Sequence, residues 1–111
     1  MNDKLLSFLG LCRRAGKLTI GNDAVCEDIK NGTAKLVIVS NDVSLNTEKK
    51  LKKICDAYST ELLKLNRTRD ELSAAIGKFG AVTGVSDEGF AKKLCELIKN
   101  ENQEVTVYDK I

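Results

Sequence analysis

Along this chain the apolar positions alternate between helical spacing and short continuous runs, and the alternation is regular. Residues 3–15 set Leu5, Leu6, Phe8, Leu9, Leu11 and Cys12 on one broad helical face. Arg13 and Arg14 fall in the last turn, where cations suit the helix dipole, and Gly16 is a natural left-handed stop. Leu18-Thr19-Ile20 reads as a short strand with Thr19 on the opposite face. A second helix, about 22–31, turns Val25, Cys26 and Ile29 inward and ends at Gly32. The run 35-KLVIVS-40 is apolar without interruption, as expected of a strand buried on both faces.

The loop 41-NDVSLNT-47 leads to a helix over about 47–58, with Leu51, Ile54, Cys55 and Tyr58 at helical spacing. Residues 61–65 form the next strand. Thr68-Arg69-Asp70-Glu71 has the form of a capping box opening a helix that runs to Ile76, with Gly77 as its stop. Residues 81-AVTGV-85 make a fourth strand, weakened by Gly84, and Ser86 is the expected cap of a last helix over 87–99 that is buried through Phe90, Leu94, Leu97 and Ile98. The remainder, 100–111, is polar and then alternates at Val105, Val107 and Tyr108; it reads either as an edge strand or as a loose tail.

Five helices alternating strictly with four strands through short loops imply a mixed or parallel sheet with helices on both faces. The expected architecture is therefore a three-layer α/β/α sandwich with a four-stranded mixed sheet. Its 111 residues suit one domain, residues 1–99, followed by the tail 100–111. No apolar run approaches the roughly 18 residues needed to span a bilayer, and no small-residue cleavage site follows the amino terminus. A cytoplasmic protein without a membrane partner is the simplest reading.

Composition narrows the chemistry. There is no histidine, so the side chain best suited to acid–base work near neutral pH is missing, and no Ser/His/Asp or Cys/His arrangement can be built. Cys12, Cys26, Cys55 and Cys95 are far apart and none sits in a CxxC pair, so they read as small buried hydrophobes rather than metal ligands. No catalytic residue, metal or cofactor is expected.

The formal charge of +2 says little by itself; its distribution says more. Basic knots occur at Arg13-Arg14 with Lys17, at Lys49-Lys50 with Lys52-Lys53, at Arg67 with Arg69, and at Lys92-Lys93. The lysine knot at 49–53 reads as a solvated helix face. The most informative stretch is 21-GNDAVCEDIKNG-32, a helix opened by a glycine and two small polar residues directly after a strand. Two explanations stand. Gly, Asn and Asp are ordinary capping residues. Alternatively the helix end is left open, its unpaired N–H groups and partial positive charge offered to a partner, with Asn22 able to donate and accept and Asp23 to accept.

Three loops, 16-GKLTIGND-23, 41-NDVSLNT-47 and 77-GKFGA-81, are expected along one edge of the sheet, with Arg13, Arg14, Lys17, Arg67 and Arg69 nearby for phosphate positioning. Phe79, between Lys78 and Gly80, reads either as a cover for an unstacked base or as a core side chain under a loop.

The runs 12-CRRAGKLTIGNDAV-25, 32-GTAKLVIVSNDVSLNTEKKL-51 and 71-ELSAAIGK-78 resemble the superfamily of kink-turn RNA-binding ribosomal proteins, and within it most closely the small bacterial branch of YlxQ-like proteins. The resemblance spans about residues 4–95, and its most specific piece is the block G-x-A-K-L-V-I-V-S-x-D. It implies a non-enzymatic RNA-binding protein, in a ribosomal or translation context, that holds a sharply bent, structured RNA. The start of the second helix, Gly21, Asn22 and Asp23, would enter the widened groove, and the loop 77–81, with Lys78 and Phe79, would cover flipped-out nucleotides. Where the archaeal members read G-T-N-E-x-x-K, this chain reads Gly21, Asn22, Asp23 and Ala24, with Glu27 at the lysine position. That departure supports the alternative of a protein-interaction module on the same fold, with a partner in the translation apparatus.

Overall fold

A computed structural model of the chain describes residues 3–109. Five helices and four strands alternate as the pattern requires: α1 (Lys4–Arg14), β1 (Leu18–Ile20), α2 (Asn22–Lys30), β2 (Leu36–Val39), α3 (Leu45–Ala57), β3 (Glu61–Lys64), α4 (Arg69–Ile76), β4 (Val82–Val85) and α5 (Glu88–Asp109). The strand order is β1-β4-β2-β3. β2 and β3 run parallel, while β4 lies antiparallel to both β1 and β2, so the sheet is mixed.

The pleat of β2 sorts the core into two layers. Leu36 and Ile38 face α1, α4 and α5 and pack with Leu9, Leu72, Leu94 and Ile98. Val37 and Val39 face the other way, onto Val25 and Ile29 of α2 and Leu51 and Cys55 of α3. All four β2 side chains are buried, which is why their run is continuously apolar rather than alternating. The result is an α/β/α sandwich with three helices on one face and two on the other.

Local capping fixes most helix starts. The Asp3 carboxylate accepts from the Leu6 N–H at 3.1 Å, the Ser44 hydroxyl from the Thr47 N–H at 3.2 Å, and the Thr68–Glu71 capping box forms in both directions. Ser44 is the reason α3 starts at Leu45, earlier than periodicity alone suggests. One expected cap is corrected: the Phe90 N–H donates to Asp87 Oδ1 at 2.8 Å, whereas the Ser86 hydroxyl donates to the Lys17 carbonyl. The segment 100–109 continues α5 instead of adding an edge strand. Residues 1–2 and 110–111 of the expected amino terminus and tail lie outside the described residues. Among the described residues, no helix is long and apolar enough to cross a membrane.

The α1–α4 contact depends on a missing side chain. A Cβ built on Gly10 would stand 2.9 Å from the Ala75 carbonyl oxygen, a backbone atom that cannot swing aside. Gly10→Ala is therefore expected to push α1 off α4 and destabilise the fold by about 2 kcal/mol, as overpacking does. Urea denaturation checks this; a midpoint equal to that of the unaltered protein would refute it.

Candidate nucleic-acid interface

The mixed topology decides which loops meet. β1, β2 and β3 point the same way and β4 points back, so Gly21, Ser40, Leu65 and Ala81 share one edge. Backbone hydrogen bonds stitch that edge together. The Gly21 N–H donates to the Val82 carbonyl (3.0 Å), Ser40 N–H to Ala81 (2.9 Å), Leu65 N–H to Val39 (2.8 Å) and Asn41 N–H to Arg67 (2.9 Å). The start of α2 is thereby held beside the loop 77–81.

Buried Ser40 and exposed Asp42, the S-x-D of the conspicuous sequence block, serve the same edge. The Ser40 hydroxyl donates to Asp42 Oδ1 at 2.8 Å, and the same oxygen accepts the Arg69 N–H at 2.9 Å. Those bonds hold the Asp42 carboxyl below its ordinary value, the Ser40 hydroxyl contributing most.

α2 starts without a side-chain cap. Gly21 adopts φ 111°, in the left-handed region that favours glycine, and nothing stands within 4 Å of where its Cβ would be. Asn22 and Asp23 do not cap the helix; instead Asn22 Oδ1 accepts from the Cys26 thiol at 3.7 Å. Gly21 is the N-cap residue and no side chain caps the helix, so the capping role expected of Asn22 and Asp23 is not found. Four other helices begin under a carboxylate or hydroxyl, which makes the open end a property of this position rather than of the fold's loops in general.

Phe79 is 66% exposed, so it is no core side chain, and the Arg69 guanidinium stands over its ring at 4.8 Å from the centroid. This cation–π pair fixes a flat, partly apolar surface next to the α2 tip. Lys78 is exposed beside it. Arg13 joins from α1: its Nε donates to the Ile76 carbonyl at 3.3 Å, at the end of the helix that feeds the 77–81 loop.

Other expected residues go elsewhere. Lys17 lies at the opposite edge of the sheet, its carbonyl accepting from the Ser86 N–H at 3.0 Å, because the whole of β1 separates it from Gly21. The stretch 16–23 thus spans both edges, and only its second half reaches the α2 tip. Arg14 lines a groove of about 570 Å³ between α1 and α4, together with Asp70 and Glu71. Arg67 is consumed internally: its guanidinium donates to Asp3 Oδ2 and to Glu101 Oε2, both at 2.7 Å, and its side chain is 15% exposed. The pair of carboxylates, Asp3 foremost, raises the Arg67 pKa further and so fixes its charge in place.

Arg69, expected only as a nearby cation for phosphate, is the residue whose pairing with the Phe79 ring sequence reasoning missed. Its signal was available, since the capping threonine before it and the glycine-bounded loop carrying Phe79 bracket one short helix. Lys50, part of a knot whose pattern reads as solvated surface, borders a cavity of about 320 Å³ shared with Asn22, Asp23, Glu27 and Lys30. The cysteines divide. Cys12 and Cys55 are buried thiols pushed up to about 11 by desolvation, whereas Cys26 and Cys95 are half-buried.

The groups that converge on this edge are backbone N–H donors, a cation-braced aromatic face and rim cations, the equipment of a surface-recognition domain. The chain belongs to the Ribosomal protein L7Ae/L30e/S12e/Gadd45 family, whose pattern matches residues 3–96. It is 43% identical over 96 residues to an RNA-binding protein YlxQ of Enterococcus faecium, covering 86% of this chain and 92% of that one. To the protein of the same description from Bacillus subtilis (strain 168) it is 42% identical over 92 residues, covering 82% and 91%. A more distant relative, the large ribosomal subunit protein eL30 of Tetrahymena thermophila, is 31% identical over 77 residues, covering 69% of this chain and 74% of that one.

Among solved structures, a protein with unknown function from Bacillus halodurans C superposes with a TM-score of 0.82 at 41% identity, over 86% of this chain and 97% of that one. The Giardia lamblia 15.5kD RNA binding protein superposes with a TM-score of 0.73, over 90% and 89%; at 15% identity that likeness concerns the fold. The family is a non-enzymatic one.

Proposed function

We propose that the protein binds structured, kink-turn-like RNA through the edge that carries the α2 tip, in a cytoplasmic ribosome or translation setting. The observation that carries this reading is the uncapped start of α2, open at Gly21 and flanked by the exposed Phe79–Arg69 pair. It is supported by relatives at 43% and 42% identity that are described as RNA-binding, and its ribosomal context by the more distant large-subunit relative.

In a bent duplex with unstacked bases, the α2 N–H groups and the Asn22 amide would meet acceptors on base edges, and Asp23 would accept from amino groups. Phe79, with Arg69 behind it, would stack on an extruded base. Arg13 and Lys78 would meet phosphates at the rim, with Arg14 further out, whereas Lys17, at the opposite edge, takes no part. Arg67 takes no part, because its charge is already matched by two carboxylates.

A kink-turn RNA should bind more tightly than a straight duplex of equal length, with both affinities falling as salt rises. Equal affinities in a gel-shift titration would overturn the reading. Exposed Asp23 and Glu27 on α2 favour a second reading, a protein-interaction module on the same fold, and that one gains if neither RNA binds.

A further inference from the structure

The tip of α2 is poorly furnished with positive charge of its own. Asp23, Glu27 and Lys30 lie along one stripe of the helix, at the spacing of successive turns, and line the groove toward α3. The two carboxylates stand nearer the tip than Lys30 does. A polyanion seated there needs counter-charge from a neighbouring element.

α3 supplies it. Lys50 lines the same cavity of about 320 Å³ as Asn22, Asp23, Glu27 and Lys30, with Ile54 one turn further along α3. Among the described residues, none of Lys50, Lys30 and Glu27 joins an ion pair, so the acid on α2 does not neutralise the lysine opposite. Glu48, which could compensate the α3 lysines, is instead held by Lys64 at 3.0 Å. Lys50 is thus the charge that α3 brings to the groove, with Lys49 and Lys53 exposed elsewhere on the same helix.

We propose that Lys50 contacts a backbone phosphate of the RNA docked at the α2 tip, so that the strand leaves the tip along the groove between α2 and α3. This inference rests on the RNA-binding reading and adds to it the path of the strand and the residue that grips it. The carboxylates of Asp23 and Glu27 line the opposite wall, which turns the phosphates toward α3 and the bases toward α2.

Lys52 provides the control. Lys50 and Lys52 flank the buried Leu51 on opposite sides of α3, roughly 160° apart at about 100° per residue, and only Lys50 borders the groove. Lys50→Gln and Lys52→Gln remove the same charge, so any effect of net charge alone is common to both. The experiment titrates kink-turn RNA and a straight duplex against the full-length protein and both variants, at several salt concentrations.

Lys50→Gln should weaken kink-turn binding roughly eightfold at about 0.1 M salt and flatten the salt slope by about one unit, the worth of one released counterion. Lys52→Gln should change neither appreciably. Equal losses in the two variants, with the preference for kink-turn RNA intact in the unaltered protein, overturn this inference alone. Absence of that preference in the unaltered protein overturns the RNA reading and this inference with it. Because both side chains are exposed, unchanged urea midpoints are expected and show that any loss is one of contact, not of folding.

Discussion

Replacing Arg67 by Met should destabilise the protein by about 2–3 kcal/mol, well beyond the loss of an ordinary surface ion pair. Removing one partner of a fully buried ion pair costs ~3–5 kcal/mol, and surface pairs are worth ~0–1. With side-chain exposures of 15% for Arg67, 19% for Asp3 and 34% for Glu101, this triad falls between those limits. The loss is structural as well as electrostatic. Asp3 also caps α1, and Glu101 lies on α5, so one guanidinium ties the segment after β3 to two helices.

The same triad predicts a pH dependence. Hydrogen bonds from Arg67, aided by the Leu6 N–H, hold the Asp3 carboxyl below its ordinary value of 3.8. A carboxyl depressed in the folded state contributes stability that is fully present above the unfolded pKa and is lost as pH falls through the folded one. The unaltered protein should therefore lose this contribution in acid, below about pH 4, and the Arg67→Met variant should show a shallower acid slope. Urea titrations at pH 7, 5 and 3 measure both effects. A variant with the midpoint of the unaltered protein at pH 7 would show that the triad is energetically idle.

Phe79→Ala should reduce affinity for kink-turn RNA by roughly 10- to 100-fold, the range of one lost base–aromatic stack, while leaving stability nearly unchanged. The ring is 66% exposed, so little buried area is removed with it. Phe79→Tyr keeps the flat face and should bind like the unaltered protein. Arg69→Ala should weaken binding less than Phe79→Ala, since it removes the brace at 4.8 Å and one cation but not the platform. Full affinity in Phe79→Ala would remove the loop 77–81 from the interface and leave the α2 tip as the sole reading element.

The elements themselves were legible because their causes are local. Helical spacing marked α1 and α3, an unbroken apolar run marked β2, and the Thr68–Glu71 box marked the start of α4, all within a few residues of chain. Their alternation also implied the sandwich, since each amphipathic helix needs an apolar face to cover. The misplaced boundaries had equally local causes: the Ser44 cap moved the start of α3, and Asp87 rather than Ser86 accepted from Phe90.

The amino-acid pattern alone established a chain of five helices and four strands, free of histidine, with an α2 start built from small residues. Tertiary structure alone decided which charges meet. β4 inserts antiparallel between β1 and β2, which carries the loop 77–81 to Gly21 and leaves Lys17 at the far edge. Arg67 finds Asp3 and Glu101 across 64 and 34 residues of chain, and Lys50 faces α2 across a groove. Spacing rules act over one or two helical turns. A guanidinium's choice between a carboxylate and a phosphate depends on distances that exist only once the sheet has closed.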